Sequence, residues 1–337
     1  MSSSLTPPDF GLPPEPAASP QFQSPDRGRR VSRETLEKIE RSSAAAPNTP
    51  VAKDVMSEKK IFNRLMEKPV KAPAETRIFT ISNQKGGVGK TSTAVNLAAA
   101  LALKGMNVLV VDNDPQGNAS TALNIEHSTD INSTYDVLID DIPLADVVTK
   151  APDLENLWVA PANIDLAGAE IELVSMVARE TRLKTALADY AAYREREGLP
   201  RLDYIFIDCP PSLGLLTINA FVAAREVLIP IQAEYYALEG LSQLLKNISM
   251  IQKHLNSELF ISTIMLTMFD GRTNLAAQVA EEVRGHFPDQ VLDAVIPRSV
   301  RISEAPSYQQ TVLTYDPQST GSVAYLKAAI EIAIKGK

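Results

Sequence analysis

Gln84-Lys85-Gly86-Gly87-Val88-Gly89-Lys90-Thr91-Ser92-Thr93 is the stretch that decides the fold. An apolar run, Ile78-Phe79-Thr80-Ile81, precedes it, and a helix-like run, Ala94-Val95-Asn96-Leu97-Ala98-Ala99-Ala100-Leu101, follows. Strand, glycine loop and helix, in that order, are the context of a phosphate-binding loop. Glycines let the backbone curl until several N–H groups point into one concavity. A helix starting near Lys90 adds its N-terminal partial positive charge. In such a loop Lys90 reaches the β- and γ-phosphates of a nucleotide, and the Thr91 hydroxyl holds Mg²⁺. The loop departs from the common pattern G-x-x-x-x-G-K-[ST]. Gln84 stands where the first glycine belongs, and a second lysine, Lys85, precedes the paired glycines.

Composition narrows the class. The chain has 337 residues, 45% of them apolar, enough to bury a sizeable core. Its net charge of −8 argues against a histone-like polyanion binder but leaves room for a local basic patch. One cysteine, Cys209, cannot form an internal disulfide or an intrachain four-cysteine metal site, and a cytosolic protein is the simple expectation. The histidines, His127, His254 and His286, show no metal-ligand spacing. No apolar stretch approaches the ~18 residues of a membrane span, and the first residues lack the basic-then-apolar order of a signal peptide.

Residues 1–50 hold nine of the 23 prolines, with much Ser, Ala and Gln, and are expected to be disordered. They carry a small basic cluster, Arg27, Arg29, Arg30 and Arg33, and Ser32 is placed to cap a short helix through Arg41. A second helix is expected over about 54–67, with Ile61, Phe62, Leu65 and Met66 on one stripe. It either packs on the main domain or a partner subunit, or serves as a docking or membrane-surface helix. Residues 1–75 therefore read as an extension and 76–337 as one folded domain. Strands are expected at 77–82, 107–112, 156–160, 203–208, 226–231, 260–268 and 291–296. Helices fill the gaps at 91–104, 165–178, 180–195, 214–224, 238–255, 274–286 and 320–335. The strands are near-continuous apolar runs such as Val108-Leu109-Val110-Val111, which suit a parallel sheet buried on both faces. The expected class is α/β: a three-layer P-loop NTPase fold with a mostly parallel central sheet, helices on both faces, and ligands at the carboxyl ends of the strands.

Acidic residues stand at those ends. Asp112 and Asp114 follow Val108–Val111, and Asp208 closes Tyr204-Ile205-Phe206-Ile207 ahead of Cys209-Pro210-Pro211-Ser212. Phosphoryl transfer needs Mg²⁺, positive charge on the phosphates and a polar group that orients the attacking water. Asp208 is the natural partner for a Mg²⁺-bound water. Asp112 and Asp114 flank Asn113 where that strand ends. One of them can approach the metal shell while the other meets water.

With these pieces assembled, the chain resembles the ParA/Soj chromosome- and plasmid-partitioning ATPases, within the deviant Walker A group that includes MinD. The resemblance spans about 77–335 and rests on Lys85–Ser92, Val111–Ser120, Phe206–Ser212, Thr267–Leu275 and Ile296–Ser307. It implies a weak, partner-stimulated, Mg²⁺-dependent ATP hydrolase, with ATP and Mg²⁺ as cofactors. Lys85, Gly86, Gly87, Val88, Gly89, Lys90, Thr91 and Ser92 match the nucleotide loop. Lys85 corresponds to the signature lysine that reaches the partner's phosphates in an ATP-sandwiched homodimer, and Lys90 to the phosphate lysine. Thr91 corresponds to the direct metal ligand, Asp112 and Asp208 to the carboxylates that hold the metal through water, and Asp114 to the residue that orients the hydrolytic water. Pro297 and Ser299 fall where the family contacts adenine, with Ser299 in place of the usual Asn. Arg272 and Arg301 match two arginines that contact DNA non-specifically, and with Arg298 they are expected on loops that follow strands. The implied setting is cytoplasmic and nucleoid-associated, with a ParB-type centromere-binding partner and a further polar or other protein for the extension. The alternative is a MinD-like membrane ATPase that positions division machinery. It calls for a basic amphipathic tail, whereas the last helix-like run leads into Lys335-Gly336-Lys337.

Overall fold

The computed structural model describes residues 50–234 and 237–335. The expected disorder of the first 49 residues, and the helix from Ser32, lie outside the described residues. The compact unit begins at Pro50. In chain order its elements are α1 (Pro50–Glu67), β1 (Arg77–Ile81), α2 (Lys90–Leu103), β2 (Val108–Asp112), α3 (Asn118–Ala122), α4 (Thr134–Ile139) and α5 (Leu144–Val147). Then come β3 (Thr149–Lys150), β4 (Leu157–Ala160), α6 (Leu166–Glu172), α7 (Arg182–Arg196), β5 (Tyr204–Asp208) and α8 (Leu215–Ala223). The chain continues through β6 (Glu226–Gln232), α9 (Ala237–His254), β7 (Phe260–Thr267), α10 (Asn274–His286), α11 (Val300–Glu304), α12 (Val312–Tyr315) and α13 (Thr320–Lys335).

The strands form one sheet in the order β3-β4-β2-β5-β1-β6-β7, parallel throughout except for the short edge strand β3. Alternation along the strands feeds two layers. On β5, Tyr204 and Phe206 pack with α2 and α13, while Ile205 and Ile207 pack with α7 and α8. β6 and β7 add Val227, Ile229, Ile264 and Leu266 to a neighbouring cluster with α9 and α10. Both faces are covered, which is why the strands read as unbroken apolar runs. Phe79 stacks on Tyr204 and Phe206 with ring centroids 6.4 and 5.3 Å apart. The Arg77 guanidinium lies over the Phe79 ring and forks onto the Glu226 carboxylate at 2.7 Å, so its buried charge is paired.

The expected helix over 54–67 is present, and its apolar stripe is used inside the subunit: Phe62, Leu65 and Met66 pack against the core beside α13. Two expectations need correction. Residues 291–296 are not a strand. Leu292 and Ile296 donate to Ile264 and Leu266 of β7, but the N–H groups of Asp293 and Ala294 between them donate to the Glu331 carboxylate of α13. That carboxylate draws the segment off the sheet edge, and only isolated bridges remain. The single helix over 165–178 is instead α6 followed by a 3₁₀ turn, Leu173–Ser175. The edge strand β3 and the short helices α3, α4, α5, α11 and α12 are too brief for periodicity to reveal.

Candidate active site

β1, β2 and β5 lie side by side, and their register sets Ile81 and Asp112 each opposite Asp208. The glycine loop leaves the sheet at that row of strand ends, where strand order reverses about β1. Gly87 and Gly89 take φ of +74° and +86°, which side chains with a Cβ rarely adopt. α2 starts at Lys90, so its first free N–H groups face the loop. Val88 is buried, and its carbonyl accepts a 2.8 Å hydrogen bond from the Thr267 hydroxyl at the end of β7. Asn83 steadies the other end of the loop: its amide donates to the Pro230 carbonyl, and its side-chain oxygen accepts from the Lys85 N–H.

Lys90 is buried, and desolvation lowers its pKa, with Asp208 and Asp114 nearby opposing that shift. Asp208 is fully buried, and neither of its carboxylate oxygens accepts a hydrogen bond of normal geometry. Burial holds its carboxyl well above the usual range, and the nearby Asp112 adds to the shift. The Thr91 hydroxyl and Lys90 offset it in part. A buried, unpartnered carboxyl beside a threonine and a lysine is suited to holding a cation.

Asp112 is placed differently. One of its carboxylate oxygens accepts from both the N–H and the hydroxyl of Ser120, at 2.8 and 2.7 Å, and the other accepts from the Asp114 N–H at 3.3 Å. Burial raises its pKa to about 6 despite those bonds. Asp112 therefore ties the start of α3 to β2. Asp114 sits at the rim, 9% exposed, and accepts from the Gln116 N–H.

Lys85 points away from the loop toward Glu234, with its ammonium 2.6 Å from the carboxylate and both side chains about half exposed. Pro297 and Ser299 are half-buried on the segment that bridges Phe269 just past β7. Arg272 forks onto Asp270 at 2.8 and 2.7 Å. Arg301 is in the short helix α11, not in a loop, and pairs with Glu304 at 3.2 Å and Asp316 at 3.4 Å. The strand ends thus bring together Lys90, Thr91, Asp112, Asp114 and Asp208, whereas Arg272 and Arg301 lie apart from that cluster, already engaged with acids.

Comparison with known proteins agrees with this geometry. A family model described as an AAA domain matches residues 76–261. The sporulation initiation inhibitor protein Soj of Bacillus subtilis is 55% identical over 260 residues, 77% of this chain and 99% of Soj. The chain belongs to the Soj/ParA family. The chromosome partitioning protein ParA of Caulobacter vibrioides is 49% identical, over 76% of this chain and 93% of its own length. Among solved structures, a cobyrinic acid a,c-diamide synthase from Mycobacterium smegmatis, with ADP and magnesium bound, is 35% identical. It aligns with a TM-score of 0.64 over 75% of this chain and 92% of that one. The cell division ATPase MinD of Pyrococcus furiosus aligns at 27% identity and TM-score 0.61, over 76% and 98%. The fold is thus shared by relatives of quite different activities, and the sequence match is what selects the Soj/ParA branch.

Glu170 and Glu234 carry no signal in the sequence that marks them for the site. Glu170 of α6 accepts from the N–H groups of Leu215 and Leu216, so it caps α8 just past Asp208. Neither belongs to a glycine-loop or strand-end pattern. Ser120 and Thr267 are visible only as the last and first residues of the runs Val111–Ser120 and Thr267–Leu275.

Proposed function

We propose that this protein is an ATP-dependent partitioning ATPase. ATP closes a homodimer, the dimer grips DNA non-specifically, and a ParB-type partner triggers hydrolysis and release. The chain is a Mg²⁺-dependent ATP hydrolase of the Soj/ParA family. The observation that carries the reading is the buried Asp208 carboxyl, unpartnered beside Thr91 and Lys90 at the mouth of the glycine loop.

In this reading the N–H groups at the start of α2 and the Lys90 ammonium bind the phosphates of ATP. Thr91 and Asp208 would hold Mg²⁺, which neutralises charge on the phosphates when bound. Asp112, committed to Ser120 and Asp114, positions that end of β2 and stands behind them. Asp114 at the rim orients the attacking water. Lys85 leaves Glu234 and crosses to the second subunit's phosphates. Half-exposed pairs such as this one are weak, so the exchange costs little. Pro297 and Ser299 flank the adenine. Arg272 and Arg301 exchange their acid partners for DNA phosphates. The setting is cytoplasmic, on the nucleoid, with residues 1–49, ahead of the compact unit, as an extension that engages another protein.

The membrane reading is less supported. No helix among the described residues is long and apolar enough to cross a membrane, and the apolar stripe of α1 is packed away. DNA retention measured with ATP, with ADP and without nucleotide tests the proposal. Retention is expected with ATP alone and is expected to vanish in Lys85→Ala. Equal binding in all three conditions would sink the nucleotide switch.

A further inference from the structure

α1 lies ahead of the family match, which begins at residue 76. From Glu58 onward its positions divide cleanly. Ile61, Phe62, Leu65 and Met66 are half-buried, while Lys59, Lys60, Asn63, Arg64, Glu67 and Lys68 are exposed. Phe62, Leu65 and Met66, with Val70 beyond the helix, pack against the core beside α13. The Lys104 ammonium donates to the carbonyls of Leu65 and Met66, at 2.9 and 2.6 Å, and so caps the last turn. The helix is therefore fixed in place by its inner face, and its outer face is left to solvent.

That outer face is basic. Residues 58–71 carry five lysines and arginines against two glutamates, on a chain whose net charge is −8. Lys327 of α13 is exposed beside them and lines the same shallow cleft as Arg64 and Lys68. None of these cations is engaged in an ion pair among the described residues. Arg272 and Arg301 differ, because each must leave an acid before it can meet a phosphate. On its other side α1 adjoins the Pro297 segment: Glu58, Ile61 and Lys327 share a cleft with Asp293, Val295, Pro297 and Glu331. That segment runs on directly into Arg298 and Arg301.

We propose that the outer face of α1, formed by Lys59, Lys60 and Arg64 with Lys68, Lys71 and Lys327 beside it, is a second docking surface for the phosphate backbone of DNA. It is separate from Arg298 and Arg301, with Asp293 and Glu331 lining the cleft on that side, and it rests on the DNA-binding reading above. Charge complementarity selects the occupant. Cations with no ion pair among the described residues, on one helix face, match a row of phosphates and need no base-specific recognition. A bilayer would require a free apolar face, and α1 has committed that face to the core.

The test uses the full chain with ATP and measures DNA affinity against salt concentration. The variant carries Lys59→Gln, Lys60→Gln, Arg64→Gln and Lys68→Gln, which keep good helix formers at every position. Each phosphate that the variant no longer neutralises lowers the slope of log affinity on log salt by about 0.9, or about eightfold in affinity at 0.1 M. A slope reduced by about two or more, with ATP affinity and unfolding temperature as in wild type, supports the proposal. A slope equal to wild type overturns it. If the fourfold variant is unstable, the pairs Lys59→Gln/Lys60→Gln and Arg64→Gln/Lys68→Gln carry the same test at about half the effect. Failure of the wild type itself to retain DNA with ATP removes the underlying reading. Loss of retention in Arg272→Ala and Arg301→Ala, with none in the α1 variants, removes only this proposal. Vesicles rich in anionic lipid form the last arm. If the α1 variant loses vesicle binding yet keeps its DNA slope, the helix face serves a membrane and the proposal fails.

Discussion

Replacing Thr267 by valine removes one oxygen from the floor of the nucleotide loop and little else. Thr267 is 2% exposed, and its hydroxyl donates to the Val88 carbonyl, itself on a residue 1% exposed. Valine keeps the branched shape, so the loss is that of the donor. A buried carbonyl left without its partner costs about 1–3 kcal/mol. This cost has two places to appear. If the loop stays in place, the folded state bears it, and the unfolding temperature drops by about 2–4 °C for each kcal/mol. If the loop lifts so that water reaches the carbonyl, the unfolding temperature is spared. ATP must then close the loop again, and the dissociation constant for ATP rises by about fivefold to 150-fold. Calorimetry and titration with a fluorescent ATP analogue read the two effects on the same sample. Thr267→Ser, which keeps the hydroxyl, is expected to recover the ATP affinity. An unfolding temperature within about 1 °C of wild type, together with an ATP affinity within about twofold, would refute the reasoning. Such a result would show that the Thr267–Val88 bond does not hold the loop.

Two further outcomes follow from the charges. Asp270→Asn frees Arg272 from its fork, so ATP-dependent DNA retention should rise, most clearly at low salt; weaker retention would show that Arg272 needs Asp270 to present it. The pull of Arg272 also holds the Asp270 carboxyl down at about 2. Asp112 shifts the other way, to about 6, so its neutral form is favoured by folding. That contribution is fully present below about pH 4, the unfolded value, and is lost as pH rises through about 6. Urea unfolding of the nucleotide-free protein should therefore lose stability over that window, about 3 kcal/mol of it from Asp112 and more from Asp208, which is shifted the same way, so the loss is smaller in Asp112→Asn. A curve of the same slope in both proteins would assign the pH dependence to other groups.

Much of this is legible in the chain itself, for identifiable reasons. Strands buried on both faces must be apolar at every position, so Val108–Val111 and Tyr204–Ile207 declare themselves. The glycine loop declares itself because a tight turn against phosphates tolerates few side chains. The run at 291–296 misleads because its composition is that of a strand. Its failure to pair depends on Glu331, 38 residues further along the chain. Arg301 reads as a loop residue because a five-residue helix is shorter than the pattern that would reveal it. The helix over 54–67 is visible from its stripe, but whether the stripe meets a membrane, a partner or its own domain is not.

The sequence by itself determined the order of strand, loop and helix, the lysines and threonine of the glycine loop, and the acids at strand ends, because each follows from residue type and short spacing. Only the tertiary structure distinguished Asp208 from Asp112. Both are strand-end aspartates, yet one is buried without a hydrogen-bond partner and the other is bound by Ser120. Tertiary structure likewise paired Lys85 with Glu234, Val88 with Thr267, and the apolar side of α1 with its own core. Burial and partnership depend on what the rest of the chain brings to a position, and for Lys85 and Val88 the partners lie 149 and 179 residues away.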